Sequence, residues 1–164
     1  MSAVSASKRT DATQGDMPDI QQVAALFGGK TILKCEVWSA FEAHALILGG
    51  LPAAALSHLI DHLRIVGSTP SLEKALGVSL RTLQRQKESP EKKLSKDQGG
   101  RAWKFAEILA TATAVFGSQD EAEFWLTRPA IGLEQHCPID LLATPTGLKL
   151  VEDFLERLRF GVYA

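Results

Sequence analysis

Two cysteines in 164 residues, Cys35 and Cys137, are too few for a disulfide framework. They read as reduced, structural side chains, and the fold must be held by an apolar core. No apolar run approaches the ~18 residues that span a bilayer. Residues 1–17 are polar and lack the apolar segment of a secretory signal. The cytoplasm is therefore the expected compartment, and these residues read as a disordered tail. No segment alternates apolar and polar residues for long, which excludes a sheet as the main element. There is no internal repeat. Paired catalytic acids, an activated nucleophile and a cofactor loop are also missing, so an enzyme is not expected, nor a cofactor.

Net charge is only −1, which excludes a generic polyanion binder, but the average conceals a division. Residues 74–104 carry nine basic and three acidic side chains, a net +6. Residues 105–164 carry four basic and nine acidic ones, a net −5. A basic middle suits phosphate; an acidic end does not.

Apolar residues recur with helical spacing through the chain, which predicts an all-α protein. Ile20, Val23, Ala24 and Phe27 form a short face ending at Gly28-Gly29, and a brief apolar stretch follows at Ile32-Leu33. Trp38, Phe41, Ala45 and Leu48 form the next buried face, ended by Gly49-Gly50. Pro52 suits the first turn of a helix carrying Leu56, Leu59, Ile60, Leu63 and Val66, stopped by Gly67. Ser71 is expected to cap a helix over 72–76 and Ser79 another over 80–87. A long helix over 97–116 follows, then one capped by Ser118 that buries Ala122, Trp125 and Leu126. A short turn over 138–142 precedes a last helix over 146–159, with Leu148, Val151, Leu155 and Leu158 on its stripe.

The most informative stretch is residues 72–87. Two short amphipathic helices flank Gly77, where a positive φ is cheap for glycine alone. Leu76, Val78 and Leu83 pack them together. Ser79, Arg81, Thr82, Gln84, Arg85 and Lys87 then point outward, as a recognition helix presents base and phosphate readers to a major groove. Lys92, Lys93 and Lys96 extend that basic surface. The competing reading is a pair of packed helices with a solvated charged face. Glu73 stands where many helix-turn-helix proteins place alanine, which predicts a different packing of the first helix.

From residue 50 to the end, about two-thirds of the chain, a set of landmarks follows one order. They are Leu76-Gly-Val-Ser-Leu-Arg-Thr-Leu-Gln-Arg85, Ala106-Glu-Ile-Leu-Ala110, Val115-Phe-Gly117 and Ala122-Glu-Phe-Trp-Leu126. Pro138-Ile-Asp-Leu-Leu-Ala-Thr144, Gly147 and Arg159-Phe-Gly-Val-Tyr163 complete the set. In combination these resemble the Xre/MbcA/ParS antitoxins. Glu134-Gln-His-Cys137 departs from the short glycine-containing turn usual in that family. The resemblance implies a helix-turn-helix domain over 18–94 and a toxin-binding domain over 95–164. It also implies a RES-domain toxin partner that consumes NAD, operator DNA and repression of the pair's own operon. A homodimer is expected because two-fold proteins match palindromic operators. A stand-alone dimeric regulator is the alternative.

The tail points to a toxin contact. Arg157, Arg159, Phe160, Gly161, Val162 and Tyr163 close the chain with two aromatics, a poor end for solvent and a fair one for a partner's pocket. The alternative is that the aromatics fold back on their own helices.

Three weaker signals are set aside. Ala24–Thr31 fits a permissive P-loop pattern but follows a helical stretch rather than a strand, so Lys30 reads as a helix C-cap cation. His58 and His62 share a helix face as zinc ligands do, without the third ligand, and read as a surface or half-buried pair. Trp38, Trp103 and Trp125 read as core anchors.

Overall fold

Capping hydroxyls and left-handed glycines partition the chain. A computed structural model describes residues 18–89 and 91–161, the side chains of Ser68 and Lys87 excepted. Among the described residues there are ten α-helices and no β-strand. They are α1 (Ile20–Leu26), α2 (Gly29–Leu33), α3 (Ala40–Gly49), α4 (Ala53–Asp61), α5 (Pro70–Leu76), α6 (Leu80–Lys87), α7 (Lys96–Phe116), α8 (Gln119–Leu126), α9 (Pro138–Leu141) and α10 (Pro145–Arg159). The all-α reading holds. Val162 and Tyr163, with the expected tail over 1–17, lie outside the described residues.

The 21-residue α7 is the axis. Ser95 and Gln98 form a capping box at its start, which satisfies two orphan amides reciprocally. Gly117, at φ 93°, ends it. Phe105, Ala106, Ile108, Leu109 and Ala112 are buried along it. Helices α1, α3, α5, α8 and α10 all pack on α7, so one continuous apolar cluster runs from Val23 to Leu155. Trp103 is buried, with its ring stacked on Phe27 at 5.5 Å and its indole N–H donating to Glu107. Trp125 sits half-buried between Phe116 and Phe154. Both are core anchors, as read.

Several sequence expectations are corrected. The face of Trp38, Phe41 and Leu48 is not core: these side chains are 62%, 87% and 52% exposed. Helix α3 instead buries Ala43 and half-buries Leu46 and Ile47. Its sequence is apolar nearly all round, so periodicity could not choose the inward side. Ser71 caps nothing; Thr69 precedes Pro70 at the start of α5, and the Ser71 hydroxyl donates to Asp140 Oδ1 on α9. Pro52 is the residue before α4, not within it, and α4 stops at Asp61 rather than near Gly67. Lys30 lies inside α2, 3.5 Å from Glu36, so it does not cap α1. Cys35 is exposed and packs nothing in the core. Cys137 is half-buried, and burial together with the Asp140 carboxylate pushes its thiol pKa up.

His58 and His62 do form a surface pair. Their rings stack at 4.1 Å, with His58 Nδ1 on the Leu26 carbonyl and His62 Nδ1 on the His58 carbonyl.

Candidate functional site

Two surfaces carry the chemistry. The first is built on α5 and α6. Leu72, Ala75, Leu76, Val78 and Leu83 are buried and lock the two helices together. Gly77 takes φ 67° at the turn, and the Arg101 side chain lies where a Cβ would reach 3.1 Å from it. With the inward side so fixed, Ser79, Arg81, Thr82, Gln84 and Arg85 all emerge exposed. Lys87 ends the same helix.

The N-terminus of α6 is less free than its position suggests. The Ser79 hydroxyl accepts from Thr82 N at 3.0 Å, and the Glu73 carboxylate accepts from Leu80 N at 3.0 Å. Glu73 thus reaches across the turn and caps the second helix instead of distorting the first. It also places negative charge against the helix's positive end. Two backbone amides at the start of α6 are thus already satisfied, and the free donors on this surface are side chains such as Arg81, Gln84 and Arg85.

The lysines after α6 divide in role. Lys92 and Lys93 lie on a segment pinned to the start of α4, with Ala53 N donating to Lys92 O (2.9 Å) and Leu94 N to Leu51 O (2.8 Å). Lys93 is exposed, but its stem lies over Gly50 and its ammonium is 3.5 Å from the Gly49 carbonyl at the end of α3. Lys92 and Lys96 are exposed.

The second surface is the far end of α10. Thr144 caps this helix through Gly147 N, and Val151 and Leu155 bury its inner stripe against α7. Lys104 staples the two helices, 3.2 Å from both Glu107 and Glu152. Burial opposes its charge, but the two carboxylates outweigh it and hold its pKa above the usual lysine value. The helix ends with Phe160 half exposed and Arg159 5.8 Å over its ring. Arg157 is exposed, 6.0 Å over the Phe154 ring. Gly161 follows at φ 67°. Phe160 does not fold back into the core.

Sequence reasoning missed apolar groups in this half. Ile131 is 85% exposed on a turn, and Leu150 is exposed one turn before Phe154 on α10. The Gly132 backbone lies against the Phe154 ring, which joins turn and helix. In that turn Glu134 and Gln135 take φ 52° and 65°, the left-handed conformation that is cheap for glycine and costly for other residues. Also missed was Glu123, fully buried on α8. Its signal was its place beside Ala122 and Leu126 on the inward stripe.

Residues 42–107 match the family described as the antitoxin Xre-like helix-turn-helix domain. Residues 111–161 match the antitoxin Xre/MbcA/ParS C-terminal toxin-binding domain. An "Antitoxin Xre" of Pseudomonas putida is 32% identical over 126 residues, covering 77% of this chain and 76% of that protein. The chain belongs to the Xre/MbcA/ParS antitoxin family. A second "Antitoxin Xre", from Yersinia enterocolitica, is 29% identical over 109 residues, 65% of this chain and 73% of that protein. Within this antitoxin family member the two matched domains meet on α7, and the exposed reader residues and the Phe160 end fall one in each. No described helix is long and apolar enough to cross a membrane.

Proposed function

We propose that this antitoxin neutralises a RES-domain toxin through the end of α10 and represses its own operon, as a homodimer, through α6. The observation that carries the reading is the juxtaposition in one packed chain of two exposed surfaces of different chemistry. One is a helix presenting Arg81, Thr82, Gln84 and Arg85; the other is a helix end presenting Arg157, Arg159 and Phe160. The RES partner is supported by membership of the family. A pocket that takes the aromatic end would be closed to its own substrate, so docking and inhibition are one event. Ile131 and Leu150 offer further apolar area on the same domain.

Each half has its own test. Arg85→Ala is expected to weaken operator binding by about 1–3 kcal/mol if it reads a base, or to lower the salt slope by about one if it holds phosphate. Titration at several salt concentrations separates the two. Unchanged affinity and slope would remove Arg85 from the interface. Deleting residues 160–164 is expected to abolish rescue of cells expressing the cognate toxin while operator binding stays intact. Full rescue by the truncated chain would overturn the tail's role.

A further inference from the structure

Helix α3 carries an apolar stripe that the other described residues leave uncovered. Phe41, Ala45 and Leu48 are spaced four and three residues apart on α3, Trp38 stands just before its Ser39 cap, and all four are exposed. That is the spacing of a seam between paired helices, in which large residues interdigitate across a partner. The opposite side of α3 is occupied, since Ala43 is buried and Leu46 and Ile47 pack on the core. Polar side chains on the helix are confined to Glu42 and His44, so the outward side has nothing to hydrate it but a histidine and an acid already committed elsewhere. Glu42 is held in the capping box of Ser39 and also accepts from Trp38 N at 2.5 Å.

Trp38 is tethered at the surface. Its indole N–H donates to Glu36 at 3.1 Å while the side chain stays largely exposed. Ordering a large aromatic in advance removes much of the entropy cost of binding it. Rigid aromatics of this kind form the energetic centres of interfaces.

We infer that this stripe is the two-fold interface between copies of the antitoxin, with α3 packing antiparallel on α3 of a second copy about an axis near Ala45. The small Ala45 lets the helices approach at the axis, and Phe41 of each copy then lies over Leu48 of the other. Area supports a second copy. At roughly 150–250 Å² for a whole aromatic side chain, the three large residues present on the order of 400 Å². A standard interface takes about 800 Å² from each partner, so the stripe supplies its apolar centre and the flanking residues its rim. The stripe is also self-complementary, large beside small beside large, as an isologous contact requires. The inference rests on the dimeric reading of operator binding and names its surface.

Sedimentation velocity of the purified antitoxin, without toxin, over a wide concentration range tests it. The wild-type chain is expected to be a dimer. The double variant Phe41→Glu with Leu48→Glu is expected to raise the dimer dissociation constant by about 30-fold or more. Its far-UV circular dichroism should match that of the wild-type chain, because neither side chain is in the core. Ile131→Glu, an equally exposed apolar site elsewhere, should leave the dimer intact. As a second measure, Ala45→Cys in a chain with Cys35→Ser and Cys137→Ser should form a disulfide-linked dimer on mild oxidation, and Ala114→Cys should not. A double variant as dimeric as wild type overturns the interface while sparing the dimeric reading. A wild-type chain that is monomeric throughout overturns both. Ala45→Cys linking no better than Ala114→Cys overturns the antiparallel axis.

Discussion

Replacing Glu123 by alanine is expected to lower the unfolding free energy by about 3–5 kcal/mol, because several buried donors lose their acceptor at once. Glu123 is fully buried, and the partners of its carboxylate are amide groups. Its Oε1 accepts from three successive backbone amides, Arg64 N at 2.9 Å, Ile65 N at 3.1 Å and Val66 N at 3.2 Å. Its Oε2 accepts from Gln119 Nε2 at 3.2 Å, and the same amide group donates to the His62 carbonyl. The amides belong to the segment between α4 and the turn that leads into α5. The carboxylate therefore replaces the water that a loop at the surface would use. The nearby Arg64–Asp120 pair, at 3.2 Å, is exposed on both sides and adds little. Glu123→Gln keeps an oxygen acceptor in place and should recover part of the loss. Urea unfolding measures the change, and hydrogen exchange at Arg64, Ile65 and Val66 localises it. A loss under about 1 kcal/mol would mean that water satisfies these amides without the carboxylate.

Gly147→Ala is expected to destabilise by about 3 kcal/mol or more, against the usual sign of a glycine-to-alanine change in a helix. Gly147 lies in the first turn of α10, where its amide donates to the Thr144 cap. A Cβ there would lie 1.9 Å from the Leu141 carbonyl oxygen, a backbone atom at the end of α9. No rotamer change relieves that contact. Either α9 or α10 must move, and α10 carries Arg157, Arg159 and Phe160. Gly100, inside α7, is the control. Nothing lies within 4 Å of its added Cβ, so Gly100→Ala should stabilise by about 0.5–1 kcal/mol. Parallel thermal melts of the two variants give opposite shifts if the reading is right. A Gly147→Ala chain that melts at or above wild type would show that the helix junction yields freely.

Both predictions concern how α8, α9 and α10 are fastened to the helix-turn-helix part. The same contacts, Glu123 on the 64–66 segment and Ser71 on Asp140, join regions 50 or more residues apart in sequence. The helix-turn-helix is thus held by the half that binds the toxin. That dependence is invisible to periodicity, because a hydrogen bond between distant segments leaves no local pattern.

What was legible in the sequence was local. The cap residues Ser79 and Ser118 act within four residues of themselves, and each helix they start is present. The outward set on α6 followed from the positions of Leu76, Val78 and Leu83, because burying Leu83 against the end of α5 and the turn fixes which side of the eight-residue α6 faces inward. The family landmarks were legible for the same reason, being short strings with fixed roles in caps, turns and close approaches. Gly147 is one of them, and the contact with Leu141 gives the physical cause.

Spacing and local cap signals by themselves determined an all-α chain, most of its helix starts and the outward side chains of α6, while the family was legible only as a resemblance carried by the landmark strings. The tertiary structure decided which side of α3 faces inward, where Glu73 and Glu123 place their carboxylates, and that Phe160 stays outside the core. A helix apolar on every side and a carboxylate on an apolar stripe are ambiguous in sequence. Their fate depends on what lies opposite, and only the packed chain supplies the opposing surface.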